Sequence, residues 1–197
     1  MHIAIVTPVF NDWPSCARLI DELDAVGSEL DGVILDVLIV NDGSSDSMDP
    51  ALLDTAGYSN INRINITELA CNLGHQRAIA VGLYVAVEAD CYQHIIIMDS
   101  DGEDRPRDVL RLVEAQTRES SQVIVASRSK RSEGLLFRAF YALYKGAYRA
   151  LTGNQITFGN FSIVSNSAAR RLLHMPDMWN NFPSALLRSR LPYEQIS

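Results

Sequence analysis

The 197-residue sequence has no uninterrupted apolar stretch of the ~18 residues a membrane-crossing helix needs, so nothing in it reads as a transmembrane span. Its three cysteines, Cys16, Cys71 and Cys91, are far apart and odd in number, which argues against a disulfide framework or a CxxC metal site and for a reducing compartment. Basic charge is scarce. With 17 Lys and Arg against 24 Asp and Glu, the net charge of −7 argues against a nucleic-acid partner held by phosphate neutralisation, though a local basic cluster could still meet a diphosphate. No second histidine stands at metal-ligand spacing, and there is no repeat, low-complexity tract or linker. The N-terminus begins at once as a strand, Ile3 to Val6, without a signal peptide's basic region and long apolar run, so a cytoplasmic protein is expected.

At 47% hydrophobic and 21% charged residues, the composition is that of one soluble domain over 1–197. Short apolar runs at 3–6, 33–40, 61–66, 94–98 and 122–126 alternate with amphipathic segments at 15–28, 76–89 and 106–119, the last with Pro106 near its first turn. That order predicts an α/β fold with a sheet. In open α/β sheets ligands lie beyond the carboxyl ends of strands, and the polar motifs fall at such ends.

The fourth run ends abruptly at Asp99-Ser100-Asp101-Gly102. Two carboxylates one residue apart share a face if the strand continues, and converge if a turn begins. Two hard oxygen ligands suit Mg²⁺ or Mn²⁺, which take further ligands from water and substrate phosphates. The same residues also read as a solvated turn leading to Pro106, and spacing alone leaves both readings open. Glu103 and Asp104 put four acids within six residues, a repulsion that a divalent cation or open solvent would relieve.

After the second run, Asn41-Asp42-Gly43-Ser44 could offer a carboxylate to a base, or form a common turn with Ser45 or Asp46 as a helix N-cap. Asn72-Leu73-Gly74-His75-Gln76-Arg77 has the makings of a strand-to-helix turn whose N–H groups and Arg77 could meet an anion, with His75 expected as a turn or core histidine rather than a base. Arg128 opens a basic loop, 127–134, that fits either a lid over phosphates or a solvated surface. Residues 135–151 carry Phe137, Phe140, Tyr141, Tyr144 and Tyr148 at helical spacing with Arg138, Lys145 and Arg149 on another face, which fits core packing or a helix lying on a membrane.

Together, Pro8-Val9-Phe10-Asn11, Asn41-Asp42-Gly43-Ser44-Ser45-Asp46, Asn72-Leu73-Gly74-His75-Gln76, Asp99-Ser100-Asp101, Arg128 and Gly159-Asn160-Phe161 resemble the ordered motifs of family 2 inverting glycosyltransferases of GT-A fold, closest to the polyprenyl-phosphate, dolichol-phosphate mannose synthase-like branch. The resemblance implies a Rossmann-like three-layer α/β/α fold with a mostly parallel central sheet. It implies a UDP- or GDP-linked sugar donor, with Pro8, Phe10, Asn11, Asp42, Asn72 and Gly74 around the nucleotide. It also implies Mg²⁺ or Mn²⁺ on Asp99 and Asp101 with Glu103 as a further ligand, Arg128 on phosphate charge, a lipid-phosphate acceptor, and work at the inner face of a membrane.

Three departures bear on the chemistry. Asn41 replaces the first of two usual aspartates. Asn160 replaces an aspartate, and an amide cannot accept a proton as general base. That suits a phosphate monoester, already a nucleophile at neutral pH, unless Asp104 or Glu103 serves as base toward a saccharide or protein hydroxyl. The sequence stops at Ser197, where members of this branch commonly continue into an acceptor-side loop and membrane helices, so the expectation is either a catalytic domain truncated at its C-terminus or a minimal soluble form whose 135–151 helix does any membrane docking. A non-catalytic nucleotide-sugar binding module and a nucleotidyltransferase are the other-class alternatives, the latter without a glycine-rich triphosphate loop near the N-terminus.

Overall fold

The computed structural model describes residues 1–118, 122–127 and 158–196. Arg128, most of the 127–134 loop and the aromatic segment 135–151 therefore lie outside the described residues.

Seven strands form one sheet: β1 (His2–Val9), β2 (Ile34–Asn41), β3 (Ile61–Glu68), β4 (His94–Ile97), β5 (Val123–Ala126), β6 (Ser162–Ser165) and β7 (Tyr193–Ile196), in the order β3-β2-β1-β4-β6-β5-β7. All neighbouring pairs are parallel except those that β6 makes with β4 and β5. The described helices are α1 (Trp13–Gly27), α2 (His75–Glu88), α3 (Asp108–Arg118), α4 (Asn166–Leu173) and α5 (Phe182–Ser189).

The central strands are apolar on both faces because both faces are covered. Successive residues of β1 alternate between two cores: Ile3 and Ile5 pack with Cys16, Ile20 and Leu23 of α1 and Leu112 of α3, while Ala4 and Val6 pack with Ile79 and Leu83 of α2, Leu172 of α4 and Leu186 of α5. That alternation makes three layers. Gly82 lets α2 sit against the sheet, since a Cβ there would lie 2.3 Å from Val6 Cγ1 and 2.8 Å from Val40 Cγ2.

Local chemistry sets the element ends. Asp12 caps α1, accepting the Ser15 N–H at 3.2 Å, with Pro14 in the first turn, so the helix starts two residues before the expected Ser15. No α-helix follows β2 with Ser45 or Asp46 as its cap. Two single 3₁₀ turns, Pro50–Leu53 and Thr55–Gly57, lie there instead, capped by Asp49 and Asp54, whose carboxylates take the N–H two residues on. Helix α3 begins at Asp108 rather than Pro106. No described helix is long and apolar enough to cross a membrane.

The chain winds outward through β1, β2 and β3, then returns to place β4 on the other side of β1. The carboxyl ends of β1 and β4 thus flank a topological switch point, where open α/β sheets hold their ligands.

Candidate active site

At the switch point, Met98 N–H bonds to Val6 O at 3.1 Å and the Ser100 hydroxyl donates to Pro8 O at 3.1 Å, so the turn after β4 is tied to the end of β1. The strand has already ended at Ile97, so Asp99-Ser100-Asp101 lies in the turn that follows it, with Asp99 and Ser100 buried. Asp104 is buried and its Oδ2 accepts the backbone N–H of Asp99 at 3.0 Å, folding the turn back on itself. Gly102 has a φ of +81°, which only a residue without a Cβ adopts easily. Asp101 is exposed, and its Oδ1 accepts the Glu103 N–H at 2.9 Å. The Glu103 side chain faces solvent.

The β1 and β2 loops are locked to each other. Asn11, in the left-handed region at φ 51°, accepts through Oδ1 the N–H groups of Ser45 and Asp46 at 2.8 and 3.2 Å, and its own N–H donates to Ser44 Oγ at 2.9 Å. Asp42 is 3% exposed and accepts the N–H of Leu73 at 2.7 Å and of Gly74 at 3.0 Å, one on each oxygen. It therefore shapes the loop before α2 rather than standing open to a base. Gly43 closes the same junction: a Cβ there would fall 2.6 Å from Cys71 C and Asn72 N. Asn41 donates through Nδ2 to Glu68 and accepts the Ser44 N–H at 3.0 Å, a purely structural position for the amide that stands where an aspartate was expected. Phe10 and Asn72 are exposed at the rim.

His75 is the residue that the sequence undervalues. It opens α2, is half-exposed, and brings Nε2 to 3.2 Å from Asp99 Oδ1 and 3.0 Å from Asn160 Nδ2. Gln76 joins them, donating to Asn160 Oδ1 at 3.1 Å and accepting the Phe182 N–H at 2.9 Å. The polar line Phe182–Gln76–Asn160–His75–Asp99 thus crosses from α5 to the turn after β4. The sequence marks Asp99, Asn160 and the His75-Gln76 pair after Gly74 separately, but carries no signal that they meet.

Of the sequence-predicted residues, Pro8, Asp42, Gly74, Asp99 and Asp104 fall at this one rim, with Phe10, Asn11, Asn72, Asp101 and Glu103 on its loops, and Arg128 lies outside the described residues. No group of three or more His, Cys, Asp or Glu converges as a metal cage among the described residues. Two carboxylates on one turn still suit Mg²⁺ or Mn²⁺, whose other ligands come from water and substrate phosphates rather than from an all-protein cage.

The family model described as glycosyl transferase family 2 matches residues 4–174. The undecaprenyl-phosphate 4-deoxy-4-formamido-L-arabinose transferase of Salmonella paratyphi A is 31% identical over 171 residues, covering 87% of this chain and 50% of that protein. The uncharacterized glycosyltransferase YkcC of Bacillus subtilis is 30% identical over 157 residues, 74% of this chain and 44% of its own length. The chain spans about half the length of these curated relatives. Among solved structures, glucosyl-3-phosphoglycerate synthase of Mycobacterium tuberculosis, in complex with Mn²⁺, UDP-glucose and phosphoglyceric acid, superposes with a TM-score of 0.64 at 19% identity, covering 98% of this chain and 68% of that one. TarS of S. aureus gives 0.62 at 16% identity, covering 100% and 58%. These likenesses establish the α/β fold as that of GT-A glycosyltransferases.

Proposed function

The chain belongs to glycosyl transferase family 2, and on that footing we propose that it transfers a sugar, with inversion, from a UDP- or GDP-linked donor to a polyprenyl-phosphate acceptor. The observation that carries this reading is the turn at Asp99 and Asp101, tied to Pro8 at the switch point and linked through His75 to Asn160.

Asp99 and Asp101 would hold Mg²⁺ or Mn²⁺, with Glu103 at the edge, and a cation there neutralises charge building on the departing diphosphate. Pro8, Phe10 and Asn72 are proposed to border the nucleoside, while Asn11, Asp42 and Gly74 keep the loops that carry them in place. Asp104 holds the Asp99 turn. Arg128 is proposed to meet phosphate charge. The reaction is one in-line displacement: an acceptor oxygen bonds to the anomeric carbon as the bond to the nucleoside diphosphate breaks. Asn160 offers no base, and a phosphate monoester needs none. The name of the Salmonella relative supports a lipid phosphate as acceptor, and the Mn²⁺ and UDP-glucose in the mycobacterial structure support the donor and the metal. With such an acceptor, residues 135–151 are proposed to rest on the inner face of a membrane.

Incubation with UDP- and GDP-sugars, Mg²⁺ or Mn²⁺, and either undecaprenyl phosphate or undecaprenol, with products read by mass spectrometry, tests this. The sugar is expected on the phosphate alone. Transfer to undecaprenol or an added oligosaccharide instead would contradict the acceptor assignment.

A further inference from the structure

Gln76 is gripped from two sides, and the grip sets the direction of a second amide. A backbone N–H only donates, so the bond from Phe182 at 2.9 Å makes the near end of the Gln76 amide its oxygen. Its Nε2 then donates to Asn160 at 3.1 Å, which makes that end of Asn160 the oxygen. By elimination, the end of Asn160 facing His75 and the Asp99 turn is nitrogen, 3.0 Å from His75 Nε2. Asn160 is 8% exposed, its backbone carbonyl accepts the Ser162 hydroxyl at 2.8 Å, and the direction of its side-chain amide therefore follows its two side-chain partners. An amide nitrogen carries two N–H groups, so even where an unprotonated His75 Nε2 takes one of them the second is left for another acceptor.

We propose that Gln76 is a positioning residue that makes Asn160 a hydrogen-bond donor toward the acceptor, and so selects a phosphate monoester over a hydroxyl. The inference rests on the acceptor reading given above and adds the group that enforces it. A phosphate oxygen takes the second Asn160 N–H as a charge-assisted bond. A hydroxyl needs a proton acceptor in the same place and meets a donor instead.

Gln76→Glu keeps the side chain's size and its bond to Phe182 but turns the donor into an acceptor. Asn160 must then swing its nitrogen toward residue 76 and its oxygen toward His75. Gln76→Met removes both bonds and imposes neither orientation. Binding of geranyl phosphate, with geraniol as control, is measured by calorimetry in the presence of UDP and Mn²⁺, with UDP affinity and thermal unfolding followed for each variant. Geranyl phosphate is expected to bind the natural chain and geraniol not. Gln76→Glu is expected to weaken geranyl phosphate by about tenfold or more, the worth of one hydrogen bond to a charged group. The loss is expected to persist in about 0.5 M salt, which screens the part of the added charge's repulsion that acts through solvent. Gln76→Met weakens binding less. A packing role would reverse that order, since Met loses two bonds and Glu one.

Binding that Gln76→Glu leaves intact would overturn this inference alone, and no binding by the natural chain would overturn it together with the acceptor reading. Should Gln76→Glu not fold, the Asn160 side-chain amide resonance of the natural chain, identified by its loss in Asn160→Asp, decides. It is expected to shift with geranyl phosphate and not with geraniol, and a resonance that stays put at saturation would overturn the inference.

Discussion

Asp104 shows how a single carboxylate can serve a site without facing the substrate. Its oxygen takes the buried N–H of Asp99, so Asp104→Ala leaves that donor without this acceptor at a cost of about 1–3 kcal/mol, while Asp104→Asn keeps an oxygen there and costs less. Urea unfolding of the two variants checks the order, and equal losses would show that the bond to Asp99 is not what Asp104 contributes. The four acids at 101–104 and 99 were visible in the sequence as a cluster, but the inward turn of Asp104 and the outward face of Asp101 were not. That choice is made by the positive φ of Gly102 and by the Ser100–Pro8 bond, which are tertiary facts. His75 escaped for a similar reason: a histidine after a glycine reads as a turn residue until the fold brings Asn160, far along the chain, to its ring.

Among the elements, β1 to β5 and α1 to α3 were legible because each carries enough apolar residues to show a period of 2 or 3.6. The four after them were not. Strand β6 offers only Ile163 and Val164 between serines, and holds its place because β4 and β5 bond to it from both sides. Helices α4 and α5 have eight residues each, too short for the pattern to stand out. Packing of α2 on the sheet gives a direct check of the layered core. Gly82→Ala forces a Cβ against Val6 and Val40 and is expected to destabilise by about 1–3 kcal/mol, as overpacking does. Adding Val6→Ala should recover part of that loss in the same unfolding assay, and a neutral Gly82→Ala would contradict the close approach. At the opposite edge of the sheet, His94 opens β4, where burial, and then the N-terminal ammonium, push its pKa below 6.5. The unfolded chain therefore takes up this proton first as pH falls, so its contribution is intact above about 6.5 and is lost below it. Thermal unfolding between pH 7.5 and 5.5 should fall less steeply in His94→Gln, and parallel profiles would refute the assignment.

Over the whole molecule, the sheet separates two kinds of polar chemistry. At its amino edge Asp36 is buried under Tyr92, His2 and Asn62, each bonded to its carboxylate, an arrangement that anchors the first strands. At its carboxyl edge the loops of β1, β2 and β4 are fastened to one another but keep Phe10, Asn72, Asp101 and His75 open to solvent. Fold class and the rim that carries the site could be read from the order of short apolar runs and the polar motifs at their ends. The line from Gln76 to Asp99 could not, because it joins residues that only the completed sheet brings together. In the function proposed above, this rim holds a nucleoside diphosphate through a divalent cation on Asp99 and Asp101. Calorimetric titration of UDP and GDP, with Mn²⁺ and with chelator, into the natural chain and Asp101→Asn measures it most directly. One nucleotide is expected to bind, and its binding to disappear with chelator and in the variant. Binding of neither, or binding indifferent to both changes, would contradict it.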